Sequence, residues 1–259
     1  MIILFIISLL ASVVGAICGI GGGVIIKPLV DALNMMPVSE ISFLSGCTVL
    51  SMSVISTFKG RKDKNVKVDT KKSILLAFGA IIGGILGKAV FQSFKSHFEA
   101  ENTVGLIQSL LLFVVLVMTI IYVFYKKNIV KRSIENKAVI VSIGVVLGFL
   151  SSFLGIGGGP FNLVVFEYFF SMNTKELAKN SIYIIMFSQL AALIQLIILR
   201  KVPDTNMIYT VSMVLGGVVG GYAGSSISKK MSNDLVERLF LFLLIFIIGI
   251  SLYNIRRFI

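Results

Sequence analysis

An all-α polytopic membrane protein is what this sequence predicts: about eight transmembrane segments in two homologous four-segment repeats, the first helix of each repeat glycine-broken or re-entrant. Three observations carry that expectation. Of 259 residues, 56% are hydrophobic and only 14% charged, with mean hydropathy +0.98, against the roughly 25% charged residues of a soluble domain. Apolar runs of membrane-crossing length recur along the chain, without the period-two alternation a membrane barrel needs. One string, Gly19-Ile20-Gly21-Gly22-Gly23, returns as Gly155-Ile156-Gly157-Gly158-Gly159.

Crossing a hydrocarbon core of ~30 Å takes about 20 helical residues. Runs of that order cover residues 2–18, continuing past the glycines to 33, then 40–58, 73–94, 104–125, 138–154, continuing to 170, 177–199, 207–227 and 235–255. They are apolar on all faces and carry small residues where helices can approach closely. The first run lacks a basic n-region and continues through the glycines without a cleavage site, so it reads as a helix rather than a secretory signal. Cys18 and Cys47 are the two cysteines. Both stand in apolar surroundings and read as small buried side chains, not as a disulfide or metal site.

The formal charge of +12 is distributed for orientation in a membrane rather than for nucleic acid. Lys59, Arg61, Lys62, Lys64, Lys67, Lys71 and Lys72 follow the second segment, and Lys126, Lys127, Lys131, Arg132 and Lys137 follow the fourth. By the positive-inside rule both loops are cytoplasmic. Arg200, Lys201, Arg256 and Arg257 are assigned to the same side, which gives eight crossings of the cytoplasmic membrane with both termini inside. The loop with Asp31 and Glu40 is then outside. Lys88 and Lys179 are expected near helix ends, their ammonium groups reaching the headgroups.

An offset of 136 residues maps Gly19 on Gly155, Glu40 on Glu176 and Ser45 on Ser181; one more residue maps Gly79, Gly83, Gly84 and Gly87 on Gly216, Gly220, Gly221 and Gly224. Two glycine patterns in one order imply a duplication. The chain divides into a first repeat, 1–130, a basic cytoplasmic linker, 131–137, and a second repeat, 138–259. Four segments per repeat give parallel halves; a fifth pass in each would invert them.

Glycine gives up more backbone entropy on ordering than any other residue, and non-helical backbone at membrane depth is tolerated only where protein buries it or a polar cavity faces it. Each break therefore marks a candidate binding site. A half-helix starting at Val24 or Pro160 would aim N–H groups and a positive dipole end at an anion, and proline suits the first turn. The candidate substrate-binding residues are Gly21, Gly22, Gly23, Lys27 and Ser45 in the first repeat. Gly157, Gly158, Gly159, Asn162, Asn180, Ser181 and Gln189 are those of the second. Asn180 and Gln189 serve equally well as helix-to-helix hydrogen-bonding groups, Ser45 and Ser181 as serines bonded to their own backbone, and Glu40 and Glu176 as dipole partners at helix starts. The Gly79 and Gly216 sets have the spacing of tight helix packing. Glu167 is the candidate for proton coupling, because an intramembrane carboxylate is a functional candidate by default.

GIGGG followed by Lys27-Pro28-Leu29, an SGCTVLSMS helix from Ser45, and FLGIGGGPFN followed by ELAKNSIYIIMFSQLAALI from Glu176 together resemble the sulfite exporter TauE/SafE family over essentially the whole chain. The resemblance implies a bacterial carrier of sulfur-containing anions such as sulfite or sulfonates. Two departures bear on the substrate. The second half carries Val164 where the first has Pro28, with its proline at Pro160, and Asn180-Ser181 replaces the family's frequent Thr-Ser pair.

The function expected is secondary transport of a small anion, sulfur-containing, by alternating access. Export is favoured, since one charge crossing 100 mV is worth ~2.3 kcal/mol and an anion leaves a negative interior without a coupling ion. The alternatives are proton-coupled uptake of a small organic anion and a non-transporting membrane scaffold. An enzyme is not expected: His97 is the only histidine, and no carboxylate pair occurs at helical spacing in the apolar runs. No cofactor or metal is called for; the partners are the small anion and membrane lipid.

Overall fold

The computed structural model describes residues 1–61, 70–97 and 101–259; Lys62, Lys64 and Lys67 of the basic loop lie outside the described residues. Among these, ten α-helices follow in order: α1 Ile2–Cys18, α2 Gly23–Ala32, α3 Val38–Arg61, α4 Thr70–His97, α5 Glu101–Tyr125, α6 Lys137–Leu154, α7 Pro160–Phe170, α8 Thr174–Ile198, α9 Met207–Lys230 and α10 Asn233–Phe258. No strand occurs among the described residues. Seven helices, α3 to α6 and α8 to α10, are long and apolar enough to cross a membrane. Large apolar side chains stay exposed on their outer faces, among them Met118, Ile121, Phe242 and Ile245; a surface so apolar is one that faces lipid. Cys18 and Cys47 are free thiols.

Local sequence sets the helix ends. Gly19 (φ 75°) and Gly155 (φ 66°) terminate α1 and α6 in the left-handed conformation that glycine adopts without a Cβ penalty. Pro160 opens α7, as expected of a proline whose missing donor costs nothing in a first turn. Asn173 and Glu176 form a capping box at the start of α8, which makes Glu176 a helix-start residue as read.

Each glycine-broken segment is two helices rather than one, and they form a hairpin. Gly22 returns alongside the middle of α1: a Cβ there would lie 3.2 Å from Ser12 Oγ and 3.3 Å from the Ala11 backbone, and one on Gly15 would lie 2.8 Å from Gly21 C. Helices α1, α3 and α9 run side by side in one direction, Gly216 against Ser8, Gly220 against Leu9 and Gly224 against Val13, with Gly217 against Thr48 and Gly221 against Met52. Helices α4, α6 and α8 run the other way. Gly79, Gly83 and Gly87 meet Val141, Val145 and Phe149, and Gly84 meets Ser188. At one end Lys175 Nζ, at the start of α8, donates to Lys229 O at the end of α9 over 3.5 Å, and Lys229 Nζ to Lys59 O at the end of α3 over 3.3 Å.

This arrangement differs from the eight-segment expectation. The α1–α2 and α6–α7 hairpins return to the end at which they began and add no net crossing, so each half keeps three full passes. Both termini, Arg200–Lys201 and Arg256–Arg257 therefore lie at one end of the bundle, with the Asp31–Glu40 turn. Lys59, Lys71, Lys72 and the linker lie at the other. The expectation that all these cations share one side fails because an odd number of passes separates them.

Contacts between elements come in exchanged pairs. Helix α4 packs on α6 as α9 does on α1, α3 on α9 as α8 on α4, α2 on α10 as α7 on α5, and α2 on α3 as α7 on α8. The packing role read for the two glycine sets is the role the structure gives them: a Cβ on Gly83 would run into Val145 O, and one on Gly220 would come within 2.6 Å of Leu9 O. Replacing Gly83 by leucine should lower the melting temperature of the detergent-solubilised protein, at a cost of about 1–3 kcal/mol or more. Gly249→Ala is the control. Nothing lies within 4 Å of that position, and alanine exceeds glycine in helix propensity by about 1 kcal/mol, so its melting temperature should hold or rise.

Candidate functional site

The two glycine breaks meet in the interior. A Cβ on Gly21 would lie 3.1 Å from Gly157 O, and one on Gly23 would run into Ile156 O and come within 2.8 Å of Ser45 Oγ. Around them the halves interlock in equivalent fashion. Gly19 is covered by Ala178 and Gly155 by Ser42; Gly157 is covered by Val49 and Gly158 by Ile185. Gly21, Gly157 and Gly158 all have positive φ, 77°, 69° and 129°, so a side chain at these places is strained as well as obstructed. Main-chain N–H groups in the first turns already have local acceptors: Ile25 N and Ile26 N donate to Gly22 O, and Asn162 N to Gly159 O.

Polar side chains frame the breaks. Asn162 Nδ2, one turn into α7, donates to Ser181 Oγ over 3.0 Å, while Asn162 Oδ1 and Ser45 Oγ are buried with no hydrogen-bond partner among the described residues. Asn180 is occupied: its Oδ1 accepts from Ser73 Oγ (2.5 Å) and its Nδ2 donates to Glu176 O (2.8 Å). Gln189 Nε2 donates to Ser151 Oγ over 3.4 Å, and its Oε1 would lie 3.2 Å from a Cβ on Gly46. The structure thus brings Gly21, Gly22, Gly23, Ser45, Gly157, Gly158, Gly159, Asn162 and Ser181 together around the contact between the breaks. It gives Asn180 and Gln189 helix-to-helix bonds.

Glu167 stands apart from that contact, whereas Lys27 lies against the second break. Lys27 is buried and forms an ion pair with Asp31 at 2.9 Å, one helical turn on, and its Cε would lie 3.6 Å from a Cβ on Gly155. The end of α2 is tied to α10: Asn254 Nδ2 donates to Pro28 O over 2.9 Å, and the Arg257 guanidinium donates to Asp31 O and Asn34 Oδ1. A polar cavity of about 10 Å³, lined in part by Lys27, Asp31, Gln108, Ser251 and Asn254, has roughly the room of one water molecule. Glu167 sits at the linker end. Its Oε1 lies 2.9 Å from Lys131 Nζ and 3.4 Å from Lys126 Nζ, and Lys126 in turn lies 2.9 Å from Glu237.

Sequence reasoning passed over Asp31, Ser42, Gln108 and the burial of Lys88. Two signals for Asp31 were present, its i,i+4 spacing from Lys27 and its place 136 residues before Glu167. For Ser42 and Gln108 the sequence offers no such mark. Lys88 is buried in the middle of α4, not at a helix end, because Gly84 and Gly87 draw α4 tightly against α8 and α6.

Removing the charge of Asp31 alone leaves a buried ammonium unpaired. Asp31→Asn should destabilise the protein by about 3–5 kcal/mol, whereas Lys27→Met combined with Asp31→Leu should recover most of that loss. Thermal unfolding in detergent measures both.

The profile of the sulfite exporter TauE/SafE family matches residues 4–252. Similar proteins include the probable membrane transporter protein YunE of Bacillus subtilis (strain 168), 24% identical over 95% of each chain, and the probable membrane transporter protein YjnA of the same organism, 23% identical over 87% of this chain and 91% of that one. The probable membrane transporter protein MJ0441 of Methanocaldococcus jannaschii is 27% identical over 61% of this chain and 58% of its own. No solved structure matches. With a match over nearly its whole length, an all-helical build and helices suited to a bilayer, the chain belongs to the sulfite exporter TauE/SafE family, and it is a membrane transporter rather than an enzyme.

Proposed function

We propose that this chain is a secondary transporter that moves a small anion, sulfur-containing as in sulfite, a sulfonate or thiosulfate, across the cytoplasmic membrane by alternating access, with export as the favoured direction. One observation carries the mechanism: two glycine breaks, one from each half, lie in contact in the interior, with buried hydroxyl and amide groups of Ser45, Asn162 and Ser181 beside them. Discontinuous helices at membrane depth are a feature of transporter binding sites, where half-helix N-termini face an anionic group. The family name supports the sulfur-anion class.

The two halves, 1–130 and 138–259, are homologous and related by a two-fold axis in the membrane plane. Supporting this are the exchanged helix contacts and the opposite directions of α1 and α6. Positive-inside orientation then assigns the linker end to the cytoplasm, and the termini and the Lys27–Asp31 pair to the outer half. Glu167 is ion-paired with Lys126 and Lys131 at the linker end, away from the contact between the breaks. That supports transport driven by the membrane potential.

Flux of sulfite, thiosulfate and small sulfonates into or out of proteoliposomes at a set potential, with and without a pH gradient, tests this reading. Saturable flux driven by potential alone is expected, and dependence on the pH gradient would return Glu167 to a coupling role. Gly158→Leu should abolish flux while the protein still inserts, since a side chain there meets Ile185 and the backbone is at φ 129°; normal flux in that variant would sink the mechanism. In a variant without Cys18 and Cys47, single cysteines at Lys131 and Asp204 should label from opposite sides of the membrane.

A further inference from the structure

Three charged side chains are buried among the described residues: Lys27, Asp31 and Lys88. Lys27 and Asp31 neutralise each other at 2.9 Å. Lys88 has no such partner. It is 5% exposed; among the described residues no carboxylate pairs with it and no acceptor bonds it. Its Nζ faces the ring of Phe91, 5.0 Å from the centroid. Cys47, Lys27 and, toward the end of α4, Lys95 are near enough to interact with it electrostatically. An unpaired ammonium in a low-dielectric interior is costly unless a counter-charge accompanies it, and an intramembrane cation marks a functional site by default.

Polar groups that carry no charge lie along this stretch of α4. Ser152 Oγ, buried and without a hydrogen-bond partner among the described residues, would lie 3.4 Å from a Cβ on Gly84, one turn before Lys88 on α4. Cys47 supplies a thiol from α3. The position 137 residues on from Lys88, by the offset that relates the two glycine sets, is Ser225, and the position 136 on from Lys27 is Leu163. The interior cations therefore belong to the first half alone.

Resting on the anion-transport reading above, we propose that Lys88 supplies the counter-charge for the bound anion, and that the single net positive charge of the interior makes the site selective for a monoanion over a dianion. A monoanion brings the buried charges to zero. A dianion leaves one uncompensated negative charge in the same low-dielectric space.

The test uses methanesulfonate, a permanent monoanion, and sulfate, a dianion at neutral pH, on purified protein in detergent and in proteoliposomes at constant ionic strength. Wild-type protein should gain several degrees of melting temperature with methanesulfonate and little with sulfate, and should transport the former at least tenfold faster. Lys88→Met should keep or raise the ligand-free melting temperature, lose the methanesulfonate-induced rise and lose at least tenfold in flux. Lys88→Arg, which keeps the charge, should retain part of both and serves as the second variant if the methionine form does not fold. A full response in Lys88→Met, or in the second case an arginine variant that is inert, overturns the assignment to Lys88. Equal response of the wild type to sulfate overturns the charge selectivity. Wild-type protein that neither binds nor transports any of the anions tested overturns the transport reading, and this inference with it.

Discussion

Backbone polar groups have no water to turn to inside a bilayer, and the rest of this structure follows from how the two glycine breaks meet that constraint. Each break is closed over by helices of the opposite half, Gly19 by α8 and Gly155 by α3, and the breaks lean on each other at Gly21 and Gly157. Neither could be sealed by its own half. Mutual cover explains why the helices that carry polar groups toward the centre, α3 and α8, are also the ones in contact with each other. It also explains the glycine sets on α4 and α9: they draw those helices in until α1 and α6 are held against the centre, leaving no slack around the strained segments.

Charge is arranged differently at the two ends of this frame. Toward the linker, Glu167 and Glu237 share Lys126, and Glu167 also pairs with Lys131, in a network with access to solvent, where such pairs contribute little to stability individually. Toward the termini, Lys27 and Asp31 are buried as a pair, where loss of either member is costly. Asp31 and Glu167 occupy equivalent places in the sequence, yet one is paired within its own helix and the other across elements. The two ends of the bundle are thus held by ion pairs of different kinds, one buried and one open to solvent.

Much of this was legible in the sequence. The breaks at Gly19–Gly23 and Gly155–Gly159, the helix start at Pro160 and the packing glycines all announce themselves through residue type and spacing, because the physics that places them is local or periodic. The sense of the chain after each break was not legible. Residues 24–33 and 160–170 read equally well as a continuation or a return, since the choice is made by contacts of Gly22 with Ala11 and Ser12 that no spacing encodes. That one ambiguity moved the termini from one end of the bundle to the other. Lys88 was misread for a related reason: its depth depends on Gly84 and Gly87 packing against α8 and α6, partners more than sixty residues away.

The interfaces α4–α6 and α1–α9 are geometric counterparts, but they are not counterparts in the order of synthesis. Helix α6 emerges from the ribosome some forty residues after α4, so that pair can close while the chain is still short. Helix α1 waits for α9, nearly two hundred residues later. At 17 residues α1 is strongly apolar but short for a membrane crossing, with Ser8 and Ser12 buried on its inward face, and until α9 arrives that face lacks the partner it packs on in the finished fold. The amino-terminal hairpin therefore gains its cover from α9 and α10 only late in translation.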